Sequence, residues 1–249
     1  MVKDNKMKKK KIMKGILYEG PSLLGNGEEI VVIGINTSQN IKTGGMLQTY
    51  ILNMHETPLN SMKGEEGQAI CGNCKHRGTS CYVRVEQAPT GIYKAYKRGS
   101  YPKLTEQETI EFFSGQHVRM GTYGDPAAIN GYQWRIWLQK AKGNTGYTHQ
   151  WRTTDIKDLC MASTDTNEEY YEAKSLGWRC FNVMNKNQQQ PVGKSFICPA
   201  SEAMGKKVQC HDCMACNGTQ NGATADIMIE VHGVSHKVNK FKELTMIGA

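Results

Sequence analysis

Apolar residues along the chain gather into short runs at strand or helix spacing, divided by polar turns. Ile30–Ile35 is apolar throughout apart from Gly34, the pattern of a strand covered on both faces. Thr49–Asn53 predicts a second strand. Leu104–Phe113 predicts a helix, with Thr105 as N-cap and Glu106 and Glu108 in its first turn. His117–Tyr123 predicts a strand ending on Gly124-Asp125-Pro126, where Asp125 is placed to cap a helix that starts with Pro126. Trp134, Trp137 and Leu138 recur at helical spacing. Thr145–Trp151 and Leu159–Ser163 read as strands, and Asn167–Leu176 as a helix closed by Gly177. Trp178–Met184 and Lys194–Cys198 are further strands, with a short helix expected from Ser201. Ala225–His232, alternating Ile227, Ile229 and Val231, is the last strand.

Strands that alternate with helices or long crossovers predict a parallel sheet. About seven or eight of them are too many for one small open sheet. The expected fold is therefore α/β, a partial or complete β/α barrel with two cysteine-bearing metal loops; a doubly wound sheet is the alternative. The expected organisation is a basic disordered tail, 1–14, followed by one α/β metal-binding domain, 15–249.

The formal charge of +8 invites a nucleic-acid reading, but its location weakens that reading. Seven lysines against Asp4 place +6 of it in residues 1–14. Such a tail offers weak, salt-sensitive attraction to phosphate and leaves the body close to neutral. The longest apolar run, Ile30–Ile35, is far short of a membrane span. No secretory-signal pattern is present, so the expected compartment is the reducing cytoplasm, without membrane partners.

Nine cysteines change the picture most. In a reducing cell, clustered cysteines are metal ligands or redox groups more often than disulfides. One group is Cys71-x2-Cys74-x6-Cys81. The other is Cys198-x11-Cys210-x2-Cys213-x2-Cys216. Two cysteines separated by two residues of a tight turn aim both sulfurs at one centre, and Gly72 and Asn73 tolerate the backbone angles required. The second group suits a 4Fe–4S cluster; zinc held by thiolates, with His211 or His76 replacing one, is the rival. Three thiolates in the first group would leave one iron open, in outline the radical S-adenosylmethionine arrangement, although the usual Cys-x3-Cys-x2-Cys spacing is absent. A zinc site completed by His76, or one site shared by both groups, are the alternatives. Cys160 and Cys180, among apolar neighbours, are expected to be inert buried thiols.

In β/α barrels chemistry collects where strands end. Arg119, Asp125, His149 and Asp165 fall at such places and are the candidate catalytic residues. Thr122, Thr148, Gln150, Ser163, Thr164 and His232 lie at similar positions. Lys42, Gly44 and Thr122 are the candidates for touching a cofactor, although Gly44-Gly45 also reads as a simple turn. Asp125 and Asp165 are equally read as helix caps, and His149 as a structural histidine.

The order of these pieces resembles the phage gene-product-88 family, a cysteine-rich family similar to radical S-adenosylmethionine barrels. The pieces are Asn40-Ile-Lys-Thr-Gly44, Ser80-Cys81-Tyr82, Val118-Arg-Met-Gly-Thr-Tyr-Gly-Asp125, Tyr132 with Trp134 or Trp137, Gly146-Tyr-Thr148 and the late cysteine cluster. They span residues 35 to 220 or so. The resemblance implies a viral or prophage protein of the host cytoplasm, with a partial barrel and cysteine-bound metal, and no particular reaction. The family's Ser-Gly-Asp reads Tyr123-Gly124-Asp125 here, so no serine stands at that place. Three functions arise as expectations. One is an iron–sulfur protein with one or two 4Fe–4S clusters, extending to a radical-generating enzyme that uses S-adenosylmethionine on an unknown substrate. Another is a zinc-stabilised binding protein. Electron transfer or redox sensing by a cluster is a third.

Overall fold

A computed structural model describes residues 12–36, 41–186, 188–205 and 208–246. The run at Ile30–Ile35 is the middle strand of an antiparallel unit made of β1 (Lys14–Pro21), β2 (Glu29–Ile35) and β3 (Leu47–Asn53). Ile30 to Ile33 expose no surface, which explains the lack of alternation there. Strand β1 was not expected, because only Ile16, Leu17 and Tyr18 give it apolar weight. Lys14, assigned to the tail, is its first residue. The tail residues 1–11, and Asn40 of the family resemblance, lie outside the described residues.

Four helices come after β3: α1 (Pro58–Lys63), α2 (Gln68–Cys71), α3 (Ala88–Lys97) and α4 (Glu106–Phe113). The last begins where the sequence predicts. Thr105 Oγ1 accepts from Glu108 N at 3.2 Å, and Glu108 Oε2 accepts from Thr105 N at 2.9 Å, a reciprocal cap that satisfies two amides otherwise left without partners. Helix α3 was not foreseen, although Pro89, Ile92, Tyr93 and Tyr96 make an inward stripe at helical spacing.

From here the chain winds through β4 (His117–Tyr123), α5 (Gly131–Leu138), β5 (Gly143–Thr145), β6 (Tyr147–Thr148), β7 (Met161–Thr164), α6 (Asn167–Ser175), β8 (Cys180–Met184), β9 (Ser195–Ile197), α7 (Cys210–Cys213), β10 (Asp226–Glu230) and α8 (Ser235–Met246). Two five-stranded sheets result, ordered β1-β2-β3-β4-β5 and β6-β7-β8-β10-β9. Every pairing from β3 onward is parallel. The parallel expectation therefore holds for β3–β10 and fails for β1–β3, where the turn at 22–28 is short enough to return the chain antiparallel.

The strand expected over Thr145–Trp151 is divided at Gly146. A Cβ at Gly146 would stand 2.5 Å from Cys160 Sγ, so only glycine fits where the sheets meet. Gly146 N donates to Cys216 O at 3.1 Å, and Gly146 O accepts from Met161 N at 2.9 Å. Trp151 sits beyond β6 in a turn, its indole N–H donating to Ser163 O at 3.1 Å. The helix expected from Ser201 is a turn. Trp134 and Trp137 are buried edge to face, 5.3 Å apart, and the Trp134 indole N–H donates to Pro126 O at 2.9 Å. No helix among the described residues is long and apolar enough to cross a membrane.

Candidate functional site

The first cysteine group is built on the short helix α2 and the turns after it. Cys71 is the last residue of α2, and Gly72 then turns the chain with φ 55° and ψ −142°. A Cβ at Gly72 would come within 2.5 Å of the Gln150 side-chain amide, so this turn requires glycine on both steric counts. Three hydrogen bonds shape the loop beyond it: Cys74 N donates to Cys71 O at 3.3 Å, Arg77 N to Cys74 O at 3.1 Å, and Cys81 N to His76 O at 2.9 Å. Arg77 also reaches back to the carbonyls of Ser61 and Gly64, holding α1 against the loop. Burial, then the nearby Cys74, Cys81 and Asp125 charges, pushes the Cys71 thiol well above its usual range. Burial also raises Cys81. Cys74 goes the other way: burial opposes ionisation, but the charge and hydrogen bond of adjacent His149 outweigh it.

Parallel strand ends converge on this loop. Asp125, just past β4, ties the turn together: its N donates to Ile70 O at 2.7 Å, its Oδ1 caps Ala127 N at 3.0 Å and its Oδ2 accepts from His149 N at 2.9 Å. Gln150, beyond β6, donates through Nε2 to Cys71 O at 3.0 Å. Asp165, beyond β7, lies 2.7 Å through Oδ2 from His76 Nε2, 3.3 Å from Lys75 Nζ and 3.9 Å from His149 Nε2. Burial would raise the Asp165 carboxyl, but these cationic and hydrogen-bonding neighbours hold it down at about 2. Burial would lower His149; Cys74, Asp165 and Asp125 instead raise it to about 10. His76 Nδ1 is 2.6 Å from Ser80 Oγ, and its ring stacks on Phe241 of α8 at 5.2 Å. Lys237 of the same helix donates to Cys81 O at 2.6 Å.

The second cysteine group has different surroundings. Cys198, Cys210, Cys213 and Cys216 line one cleft, together with Lys42, Thr145, Tyr147, Phe181, Met214 and Ile227 among others. Cys198 and Cys216 belong to a small apolar cluster with Met161, Ala200, Ile227 and Ile229. Cys198 comes directly after β9 and is anchored by its N–H on Met228 O at 2.7 Å; Cys210 N donates to Lys42 O at 2.9 Å. Cys210 and Cys213 share the single turn α7, and Met214 then adopts a left-handed conformation that sends the chain on to Cys216. Burial pushes Cys216 up to about 12 and raises Cys198. Thr145 is almost wholly buried in this cleft, and its hydroxyl has no hydrogen-bond partner.

Comparison with protein-family models, with curated proteins and with solved structures finds no match. The residues alone therefore carry the assignment. Of the four predicted catalytic residues, Asp125, His149 and Asp165 meet at the first cysteine group. Arg119 does not join them. It lies six positions earlier on β4, and its guanidinium packs 5.2 Å from the Tyr147 ring, towards Cys210 and Cys216. Lys42 does reach the second cleft. Gly44 is a tight turn whose missing Cβ makes room for Gln209 and His211. Thr122 is taken up by Gln48, donating to its Oε1 at 2.6 Å. Ser163 and Thr164 serve the fold, the latter donating to Asn182 at 3.1 Å. His232 is exposed and turned onto Glu230 O. Cys160 and Cys180 are fully buried, as expected. Lys75, Ser80, Thr145 and Tyr147 were missed. His76 was considered only as a fourth ligand to the cysteines; its place between Cys74 and Cys81 was the available signal.

All nine cysteines are free thiols. Among the described residues, the His, Cys, Asp or Glu ligand atoms found as a set of three within 4.8 Å of one another are those of His76, His149 and Asp165; the thiols of either cysteine group stand wider as a set.

Proposed function

We propose that the protein is an iron–sulfur protein of phage or prophage type, with a 4Fe–4S cluster at each cysteine group on a partial β/α barrel formed by β3 to β10. The observation that carries this reading is the convergence of all four second-group cysteines on one cleft, although the first and the last lie 18 positions apart in the chain. The donor set fits. Buried thiols crowded together resist ionisation unless a cation compensates them, and a cluster supplies that charge. The partnerless Thr145 hydroxyl is buried where a cluster sulfur would accept from it.

The first group extends this reading to a radical-generating enzyme. Its three cysteines come after the first parallel strand, and the ends of β4, β6 and β7 deliver Asp125, His149 and Asp165 beside them. A cluster held by three thiolates would supply one electron to the sulfonium of S-adenosylmethionine bound at its open iron. In that arrangement Gln150 and Asp125 fix the backbone of the cysteine loop, His149 holds Cys74 as thiolate, and Asp165 with His76 closes the far wall.

The test is air-free purification with iron, acid-labile sulfide and zinc analysis, then reduction and addition of S-adenosylmethionine. Iron and sulfide in equal amounts, with broad visible absorbance, are expected. Stoichiometric zinc without iron would make the chain a zinc-stabilised binding protein. Release of 5′-deoxyadenosine supports the radical reading; its absence reduces the clusters to electron transfer or sensing.

A further inference from the structure

A second set of ligand atoms sits beside the first cysteine group. We propose that His76 Nε2, His149 Nε2 and Asp165 Oδ2 form a mononuclear site for a divalent first-row transition ion, separate from any cysteine-bound metal. This goes beyond the iron–sulfur reading and does not depend on it.

One ligand atom from each of the three residues lies within 4.8 Å of the other two. The separations to the shared carboxylate oxygen are 2.7 Å from His76 and 3.9 Å from His149. Ligands about 2.0–2.1 Å from a tetrahedral ion stand roughly 3.3 Å apart, so small side-chain rotations suffice. The second observation is that His149 Nε2 is buried and has no hydrogen-bond partner. A buried ring nitrogen without a partner costs free energy, and an ion placed between it and Asp165 removes that cost.

The groups behind the ligands are those that orient metal-binding histidines. Ser80 Oγ at 2.6 Å engages His76 Nδ1 and holds the ring with Nε2 on Asp165 Oδ2, a hydrogen bond at 2.7 Å whose proton an arriving ion replaces. Phe241 stacks on the His76 ring and fixes its plane. Lys75 stands in the way, 3.3 Å from Asp165 Oδ2. It is also paired with Glu169 Oε1 at 2.9 Å, so an arriving ion displaces it onto a carboxylate it already holds. Asp165 and His76 are 2% and 8% exposed at the side chain, while His149 is 30% exposed, so the ion enters and exchanges ligands from the His149 side. Two imidazoles and one carboxylate select iron, zinc or manganese over calcium or magnesium. The donor set stops at three, so the ion keeps a position for water or for an anionic oxygen of a substrate.

Zinc is the probe. The air-free full-length protein is incubated with Zn2+, dialysed, analysed for zinc and iron, and examined by X-ray absorption at the zinc edge, which is blind to iron. The expected result is one retained zinc per chain, bound by nitrogen and oxygen at about 2.0–2.1 Å. His149→Gln and Asp165→Asn should each lose that zinc while keeping the wild-type circular dichroism and unfolding midpoint of the metal-free chain, which shows that the variants are folded. Failure to retain zinc, zinc retention unchanged in both variants, or sulfur at about 2.3 Å in the zinc spectrum overturns the proposal. If the wild type holds no iron, the iron–sulfur reading fails, while the nitrogen and oxygen signature still decides this one.

Discussion

The two cysteine groups are made from the same thiols and placed in opposite surroundings. The first is ringed by Asp125, His149, Asp165, His76 and Lys75, delivered by strand ends and by its own loop. The second is enclosed by apolar side chains, with Arg119 and Tyr147 at its margin and Cys198 and Cys216 inside a small hydrophobic cluster. The first supplies three thiols and several titratable neighbours; the second supplies four thiols and one partnerless hydroxyl. The contrast teaches that thiols alone do not define a site: under the proposed reading, the first group, with acids and bases around it, would hold a metal that can react, and the second, in an apolar cleft, one that holds structure or passes electrons.

The largest expected effect would test this division directly. Cys210→Ser with Cys213→Ser should remove about half of the iron, and Cys71→Ser with Cys74→Ser the other half, as expected for two independent clusters. Iron and sulfide analysis of the two double variants checks this. Loss of all iron from either would mean that the groups build one shared site, and the comparison would be broken.

A smaller effect is expected from Gly72→Ala. The left-handed φ and the 2.5 Å approach to Gln150 should cost about 1–3 kcal/mol in denaturant unfolding and selectively weaken metal retention at the first group. Equal loss of metal at both groups would show that the turn serves the whole fold rather than its own loop.

The smallest effect sharpens the second group. Thr145→Val removes a buried hydroxyl that has no partner in the metal-free protein. The metal-free chain should gain about 1 kcal/mol, because an unsatisfied polar group disappears. The loaded chain should lose that gain, since the hydroxyl then has a sulfur to donate to. Unfolding midpoints of both forms, measured side by side, test the pairing.

Much of the fold was legible because local signals agreed with tertiary use. Thr105 with Glu108, Asp125 with Pro126, and Gly177 at the end of α6 each marked a boundary that the structure keeps. The division of the 145–151 strand was not legible, since Gly146 is demanded by Cys160, a residue 14 positions away that lies behind it. Strand β1 carries too few apolar residues to stand out, and Pro89 and Gly91 near the start of helix α3 mask its stripe. In the site, the cysteines and three strand-end residues could be read from spacing. That Arg119 lies apart from the other three was not legible, because nothing in the sequence tells which way a residue on a twisted, bulged strand points; the β3–β4 register shifts between Gln48 and Tyr50. The partnership of His76 with Asp165 spans 89 residues and has no local signature.

The single residue between β5 and β6 has a mechanical consequence. Gly146 is the joint between the two sheets: the first sheet ends on one side of it and the second begins on the other, and its own amide is fastened to the carbonyl of Cys216. A displacement of the Cys216 backbone would therefore be passed to the seam itself, two residues upstream of the strand end that carries His149.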